Sequence, residues 1–385
     1  FPSTPSEQAP DVIAYVDPKF KMPQVWRSNL NVDIQLPYDF MLSVGAMYTR
    51  DIYNVAQINM NEAEPTGVYN EQPDRIYWAS KKYEYNDYTN GKNVVVKLSN
   101  GEDKGYQYSF NAILTKKYDF GFTGSIGYTY TMAKDLTANP GSAPNSAWQN
   151  NVAVNSLNDP GVSYSLFSTP HRIIANASYE INYAKCLKTT FSLFYSGYHT
   201  GRYSYTYYND MNGDGNYSDL IYVPNSQDEM TFVDITDKSG AITYSAVDQA
   251  KDFWDFVNND SYLKDRKGKY VERNGSLTPW INRFDFKIAQ DFYATLGGRK
   301  YGIQVSLDML NVGNMINSKW GAYQSCGLKS YDNVQLLKTA SKVGEPLTYQ
   351  INANSREAFK ERSSWQYTNT IGSAWSMQLG VKVTF

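Results

Sequence analysis

The stretch Trp375-Ser376-Met377-Gln378-Leu379-Gly380-Val381-Lys382-Val383-Thr384-Phe385 places an apolar side chain at every odd position and a polar or small one at every even position. Side chains alternate faces along a β-strand, so these residues form a strand with one greasy and one wet face. The same division recurs in eight further segments. Trp26, Leu30, Val32, Ile34 and Leu36 alternate with Arg27, Asn29, Asn31, Asp33 and Gln35. Looser versions span 40–52, 106–117, 120–131, 173–183, 187–197, 280–292 and 301–309. No segment of helical period competes with them.

The links between segments are as uneven as the faces. Short ones lie at Pro37-Tyr38-Asp39, Lys117-Tyr118-Asp119 and Ala184-Lys185-Cys186, with a slightly longer one around Gly297-Gly298. Long polar excursions occupy 54–104, 132–168, 206–278 and 312–372. Tight turns at one end and long loops at the other describe a transmembrane antiparallel β-barrel with short periplasmic turns and long extracellular loops. Its apolar face meets lipid and its polar face lines a wet lumen. The fold class is therefore all-β, with residues 1–385 forming one portion of a single barrel domain.

Composition agrees. With 36 Lys+Arg against 38 Asp+Glu, the net charge of −2 gives no bulk attraction to nucleic acid. No apolar run reaches the roughly 18 residues a membrane helix needs. The 34 Tyr, 17 Phe and 8 Trp are an excess that interface girdles at strand ends and aromatic loops would absorb. Tyr69, Trp78, Tyr83, Tyr85, Tyr88, Trp148, Tyr203, Tyr205, Tyr207 and Trp254 suit ligand stacking, or packing against one another.

Hairpin partners must put like faces together. The link at 37–39 pairs Leu36 with Phe40, Ile34 with Leu42 and Val32 with Val44. The link at 117–119 pairs Phe110 with Ile126, Tyr108 with Tyr128 and Tyr106 with Tyr130. An odd number of strands cannot close an antiparallel barrel, so an odd number of further strands is expected elsewhere, with Phe1 in or next to an extracellular loop.

Several motifs resemble the C-terminal half of a TonB-dependent transporter barrel, of the Oar-like receptors of Bacteroidota. They are Asp17 to Trp26, Ser168-Thr169-Pro170-His171-Arg172, Asp210 to Asn216 with Leu220 to Pro224, Trp280 to Phe286, Leu307 to Asn314, and Met377 to Phe385. The resemblance implies an outer-membrane barrel of about 22 strands with a plug, of which this chain supplies the last nine. It also implies energised uptake of a ligand captured by the loops. The implied partners are the rest of the barrel and plug, the TonB system through a region absent here, the barrel-assembly machinery through Phe385, outer-membrane lipid and a surface lipoprotein. A passive pore, an export or surface-assembly barrel, and a soluble adhesion domain are the alternatives.

Chemistry-bearing clusters are few, and no catalytic constellation emerges, so an enzyme is not expected. Asp210, Asn212, Asp214 and Asn216, with Asp219 beyond, resemble the first half of a calcium loop. Ile221 stands where a bidentate Glu belongs, and a solvated turn is the rival reading; the only cofactor expected is a structural calcium. His171 and His199 fall opposite each other in register, open to a metal clip but better explained as interface rings. Cys186 in a turn and Cys326 in a long loop lie too far apart to bond. The stripe of Arg27, Asp33, Arg172, Glu180, Arg283, Asp285, Lys287, Asp291, Asp308 and Lys382 mixes signs along the lumen.

Overall fold

The computed structural model describes residues 12–85, 94–217, 219–326, 329–330, 333–352, 359, 365–368 and 370–385. Nine strands form the wall: β1 Gln24–Leu36, β2 Phe40–Tyr53, β3 Tyr106–Lys117, β4 Phe122–Asp135, β5 His171–Tyr183, β6 Leu187–His199, β7 Trp280–Leu296, β8 Arg299–Leu310 and β9 Ser376–Thr384. Each is antiparallel to the next in chain order. Among the described residues β1 and β9 are the two edges, and the sheet does not close on itself. No helix among the described residues is long and apolar enough to cross a membrane.

The β1–β2 register is the one the alternation requires, with Leu36 opposite Phe40, Ile34 opposite Leu42 and Val32 opposite Val44. The β3–β4 register differs from expectation by four residues: Phe110 faces Tyr130, Ala112 faces Tyr128 and Tyr106 faces Lys134. The chain turns over Tyr118–Gly121 rather than at 117–119, because Gly121 takes φ +98 and donates its N–H to the Tyr118 carbonyl. A shift by an even number preserves the faces. The link at Gly297-Gly298 is shorter than expected, a two-residue turn between Leu296 and Arg299. Both glycines have positive φ, which the right-handed twist of a tight hairpin demands.

On the apolar face Leu30 is 67%, Ile126 53% and Leu379 72% exposed, so none of the described residues covers these positions. Rings gather in two bands along this face. At the short-turn end, Tyr118, Phe120, Phe122 and Tyr179 lie 5.0 to 6.3 Å apart in sequence of contact. At the loop end stand Trp26 with Tyr48, Tyr108 with Tyr130, Tyr130 with His171, and His199 with Trp280. Amphipathic rings belong at the two headgroup levels.

The long excursions are not merely polar loops. Val12–Val16 runs parallel to Val94–Ser99, which pairs antiparallel with Ala56–Asn59. Arg202–Tyr207 runs parallel to Asn333–Thr339, tying the excursion after β6 to the one after β8. A 14-residue α-helix, Ala246–Asn259, corrects the expectation that no segment has helical period. Ser245 caps it, accepting the Asp248 N–H at 3.1 Å, and Gln249, Phe253, Phe256 and Val257 form its buried face.

Candidate functional site

The excursions share a core of their own above the wall. It joins Tyr203, Tyr205, Tyr207, Met211, Ile221, Val223, Phe253, Phe256, Leu336, Leu337, Tyr349 and Ile351, while a second cluster gathers Tyr83, Val94, Val96, Trp148 and Leu157. The expected ligand-stacking rings are mostly spent here: Tyr69, Trp78, Tyr83, Trp148, Tyr203, Tyr205 and Tyr207 are all buried. Tyr85 is exposed and Trp254 half-buried, and Tyr88 lies outside the described residues. Burying a large side chain stabilises by about 1.5–3 kcal/mol, so these rings fold the cap instead of awaiting a ligand.

Burial also sets the cap's response to alkali. The Tyr203 hydroxyl meets that of Tyr205 at 3.1 Å, and Tyr205 donates to Asp260 at 2.8 Å. Desolvation, with the Asp260 charge, pushes Tyr203 up to about 12, and desolvation likewise pushes Tyr262 and Tyr270 to about 12. A tyrosine raised in the folded state contributes stability that is whole below its ordinary value near 10 and is lost as pH rises through 12. The cap is expected to unfold cooperatively in that window, with tyrosinate absorbance and cap proteolysis rising together. Tyrosine ionisation complete below pH 10 would contradict this.

Within the cap lies the loop Asp210–Tyr217, with Asp219 beyond it. Asp210 accepts the Gly213 and Gly215 N–H groups at 2.8 and 2.9 Å, Asn212 that of Asp214 at 3.0 Å, and Asp214 that of Asn216 at 2.7 Å. Asp210 is half-buried; Asn212, Asp214, Asn216 and Asp219 are buried. Desolvation raises the carboxyls of Asp210, Asp214 and Asp219, and repulsion from neighbouring carboxylates adds to it at Asp214 and Asp219. Asp214 is pushed well above the usual range and Asp219 to about 7. The loop is thus no solvated turn.

Asp219 is turned to a different task from its neighbours. One carboxylate oxygen accepts the Met211 N–H at 3.0 Å and the other meets Arg75 Nη1 at 3.4 Å. Arg75 is wholly buried and also donates to the carbonyls of Val154 and Leu220 and, at 3.2 Å, to Gln72. Its guanidinium stacks 4.8 Å from the Tyr270 ring, and Gln72 donates to Tyr207 and Tyr349 at 2.9 Å each. Sequence reading did not single out Arg75 or Gln72, since a lone Arg in a polar stretch carries no local signal.

Among the described residues no three His, Cys, Asp or Glu side chains converge as a metal centre by themselves. His171 and His199 do belong to opposed positions of the β5–β6 register, yet the first bonds Tyr128 at 2.7 Å and the second the Thr278 carbonyl. Both bonds run through Nδ1, and both rings pack on aromatic neighbours at the loop end, Tyr130 and Trp280, as interface rings do. Cys186 and Cys326 are not joined to each other.

Along the wet face, charges pair between strands, Lys287 with Asp308 at 2.8 Å and Lys188 with Asp291 and Glu180 at 3.6 and 3.7 Å, and along β7, Arg283 with Asp285 at 3.7 Å. At the base of the cap a polar cavity of about 470 Å³ is lined by Asp17, Gln57, Lys97, Ser99, Glu102 and Asp159.

A wall of alternating strands with uncovered apolar side chains, two aromatic bands, turns at one end and a folded cap at the other defines an outer-membrane β-barrel protein. A family model described as outer membrane beta barrel domain matches residues 1–321, and the chain belongs to that family. No curated protein and no solved structure matches it. Its place is the outer membrane of a Gram-negative bacterium, which removes the soluble adhesion domain from the alternatives.

Proposed function

We propose that the chain is the wall and cap of a TonB-dependent receptor that imports a ligand captured on the extracellular side. The observation that carries the reading is the open nine-stranded wall. Its edges, Gln24–Leu36 and Ser376–Thr384, run in the same direction and neither is paired among the described residues. Unpaired backbone groups cannot face lipid, so further strands, odd in number, close the barrel. A barrel much wider than nine strands encloses a lumen that a plug fills in transporters of about 22 strands.

The laterally paired luminal charges supply a polar lining on which such a plug can rest, and the motifs from Asp17 to Phe385 add their resemblance to the Oar-like receptors. In this reading the TonB system acts on the plug, the assembly machinery reads Phe385, and a surface lipoprotein can dock on the cap. No catalytic step is assigned.

Planar-bilayer recording of the complete gene product tests it. A plugged importer is expected to be silent at rest and to conduct after urea loosens the plug. A standing conductance without urea would transfer the protein to the passive-pore or export reading.

A further inference from the structure

We propose that the cavity beside Arg202, where the cap meets the wall, is a binding site for a small carboxylate that carries an apolar group. The first observation is charge. Three arginines are buried among the described residues: Arg75 meets Asp219 at 3.4 Å and Arg273 meets Asp135 at 2.8 Å, whereas Arg202, 5% exposed, meets no carboxylate. Glu272, whose charge is felt at Arg202, is already paired with Lys134 and Arg266 at 3.7 and 3.3 Å. A guanidinium keeps its proton in a protein, so a buried one calls for an anion. The described residues leave that place to a ligand.

The second observation is a free donor edge. Arg202 Nη1 donates to the carbonyls of Asn274 and Gly275 at 3.1 and 3.4 Å, but Nε is buried and has no partner. The Nε–H and the adjacent Nη2–H run parallel along one edge of the guanidinium, the fork that grips both oxygens of a carboxylate. Its plane is fixed in advance. The guanidinium carbon lies 4.4 Å from the centre of the Tyr164 ring, and Arg202 pairs with Leu277 at the foot of the cap. Next to it, Gly201 accepts the Thr278 N–H at 3.1 Å and donates its own to Thr278 Oγ1 at 3.0 Å. An anion arriving here has little side-chain freedom left to freeze.

The third observation is room. Arg202 lines a cavity of about 410 Å³, a volume that suits a small ligand. Three excursions meet around it: Leu166 and Phe167 come from the one after β4, Thr200 and Gly201 from the one after β6, and Ser325 and Trp365 from the one after β8. Leu166, Phe167 and Trp365 set an apolar surface beside the cation. The ligand they select therefore carries an apolar group on its carboxylate and is not a bare inorganic anion. The site belongs to the cap alone, so it holds whether or not the barrel is an importer.

Calorimetric titration of the complete gene product in detergent with phenylpropionate, beside the uncharged phenylpropanamide, tests the site in a buffer free of other carboxylates and of phosphate. Saturable binding of the acid is expected, with the amide weaker by roughly tenfold or more in the same protein, since it lacks the charge and the second acceptor. Two variants locate the site. Arg202→Gln removes the fork and should weaken the acid by roughly tenfold or more. Gly201→Phe should weaken it while leaving Arg202 in place, because a side chain there meets nothing within 4 Å and enters the cavity. No saturable binding of the acid by the unaltered protein, or equal binding of acid and amide, overturns the proposal. Undiminished binding in whichever variants fold places the acid elsewhere and overturns it as well; where neither folds, the acid and amide pair decides. None of these results touches the importer reading, which the bilayer recording tests separately.

Discussion

Replacing Arg75 by methionine is expected to cost the cap about 3–5 kcal/mol, the range for removing one partner of a buried ion pair. Methionine keeps an apolar stem of similar length, so the loss falls on the guanidinium. The Asp219 carboxylate then loses its counter-charge and keeps only backbone donors such as the Met211 N–H, and the carbonyls of Val154 and Leu220 lose the guanidinium donor. Gln72 loses its donor as well, and with it the anchor that orients its amide toward Tyr207 and Tyr349. Because these groups come from separate excursions, the loss should loosen the cap as a unit while the strands keep their hydrogen bonds. Urea titration in EDTA, read by Trp78 and Trp148 fluorescence, should show an earlier cap transition and an unchanged wall transition. The double variant Arg75→Met with Asp219→Asn should recover part of the loss, since no carboxylate remains stranded. A midpoint equal to that of the unaltered protein would show that Arg75 is not the cap's keystone.

How legible the molecule is in its sequence differs from wall to cap. In the wall, period two suffices: Leu36 opposite Phe40 follows from alternation and a three-residue link. Faces survive even where register does not. Tyr108 meets Met132 instead of Tyr128, because Gly121 moved the turn, yet both partners lie on the lipid side. Alternation sees parity; only the turn fixes the offset. The cap escapes because its core is assembled from pieces far apart in the chain. Ser204 pairs in parallel with Asn333, and no local pattern announces a partner so far away.

Some cap signals were nevertheless local. Ala246, Gln249, Ala250, Phe253, Phe256 and Val257 fall on one helical face behind a Ser245–Asp248 cap, a pattern that polar neighbours obscure. Tyr203, Tyr205 and Tyr207 alternate with Ser204 and Thr206, which is the strand rule applied to a segment read as loop. The oxygen-rich spacing of Asp210, Asn212, Asp214 and Asn216 was visible, but composition is the same for a wet turn and a buried one. Burial, which separates the two, depends on Trp78, Tyr83 and Val343, which pack against the loop from distant parts of the chain, and so appears only in three dimensions.

The assignment of faces carries the other large effect. Ile126 stands on β4 midway between Phe122 and Tyr130, one in each aromatic band, and faces away from the lumen between Leu114 and Ala175. An arginine there would sit near the bilayer midplane, where a cation on the lipid face costs about 2–4 kcal/mol. Its neighbour Ser125 points the other way, accepting a hydrogen bond from Asn176 Nδ2 at 2.7 Å. Ser125→Arg forfeits that bond, worth about 1 kcal/mol, but keeps its charge in water. Folding of the complete gene product into lipid vesicles, followed by the heat-modifiable gel shift, should therefore fail or slow sharply for Ile126→Arg and proceed for Ser125→Arg. The comparison isolates direction, since the two sites are adjacent in one strand and receive the same side chain. Were Ser125→Arg the more damaging of the two, the apolar face would be the inner one, and the lipid-facing assignment of Leu30, Ile126 and Leu379 would fall with it.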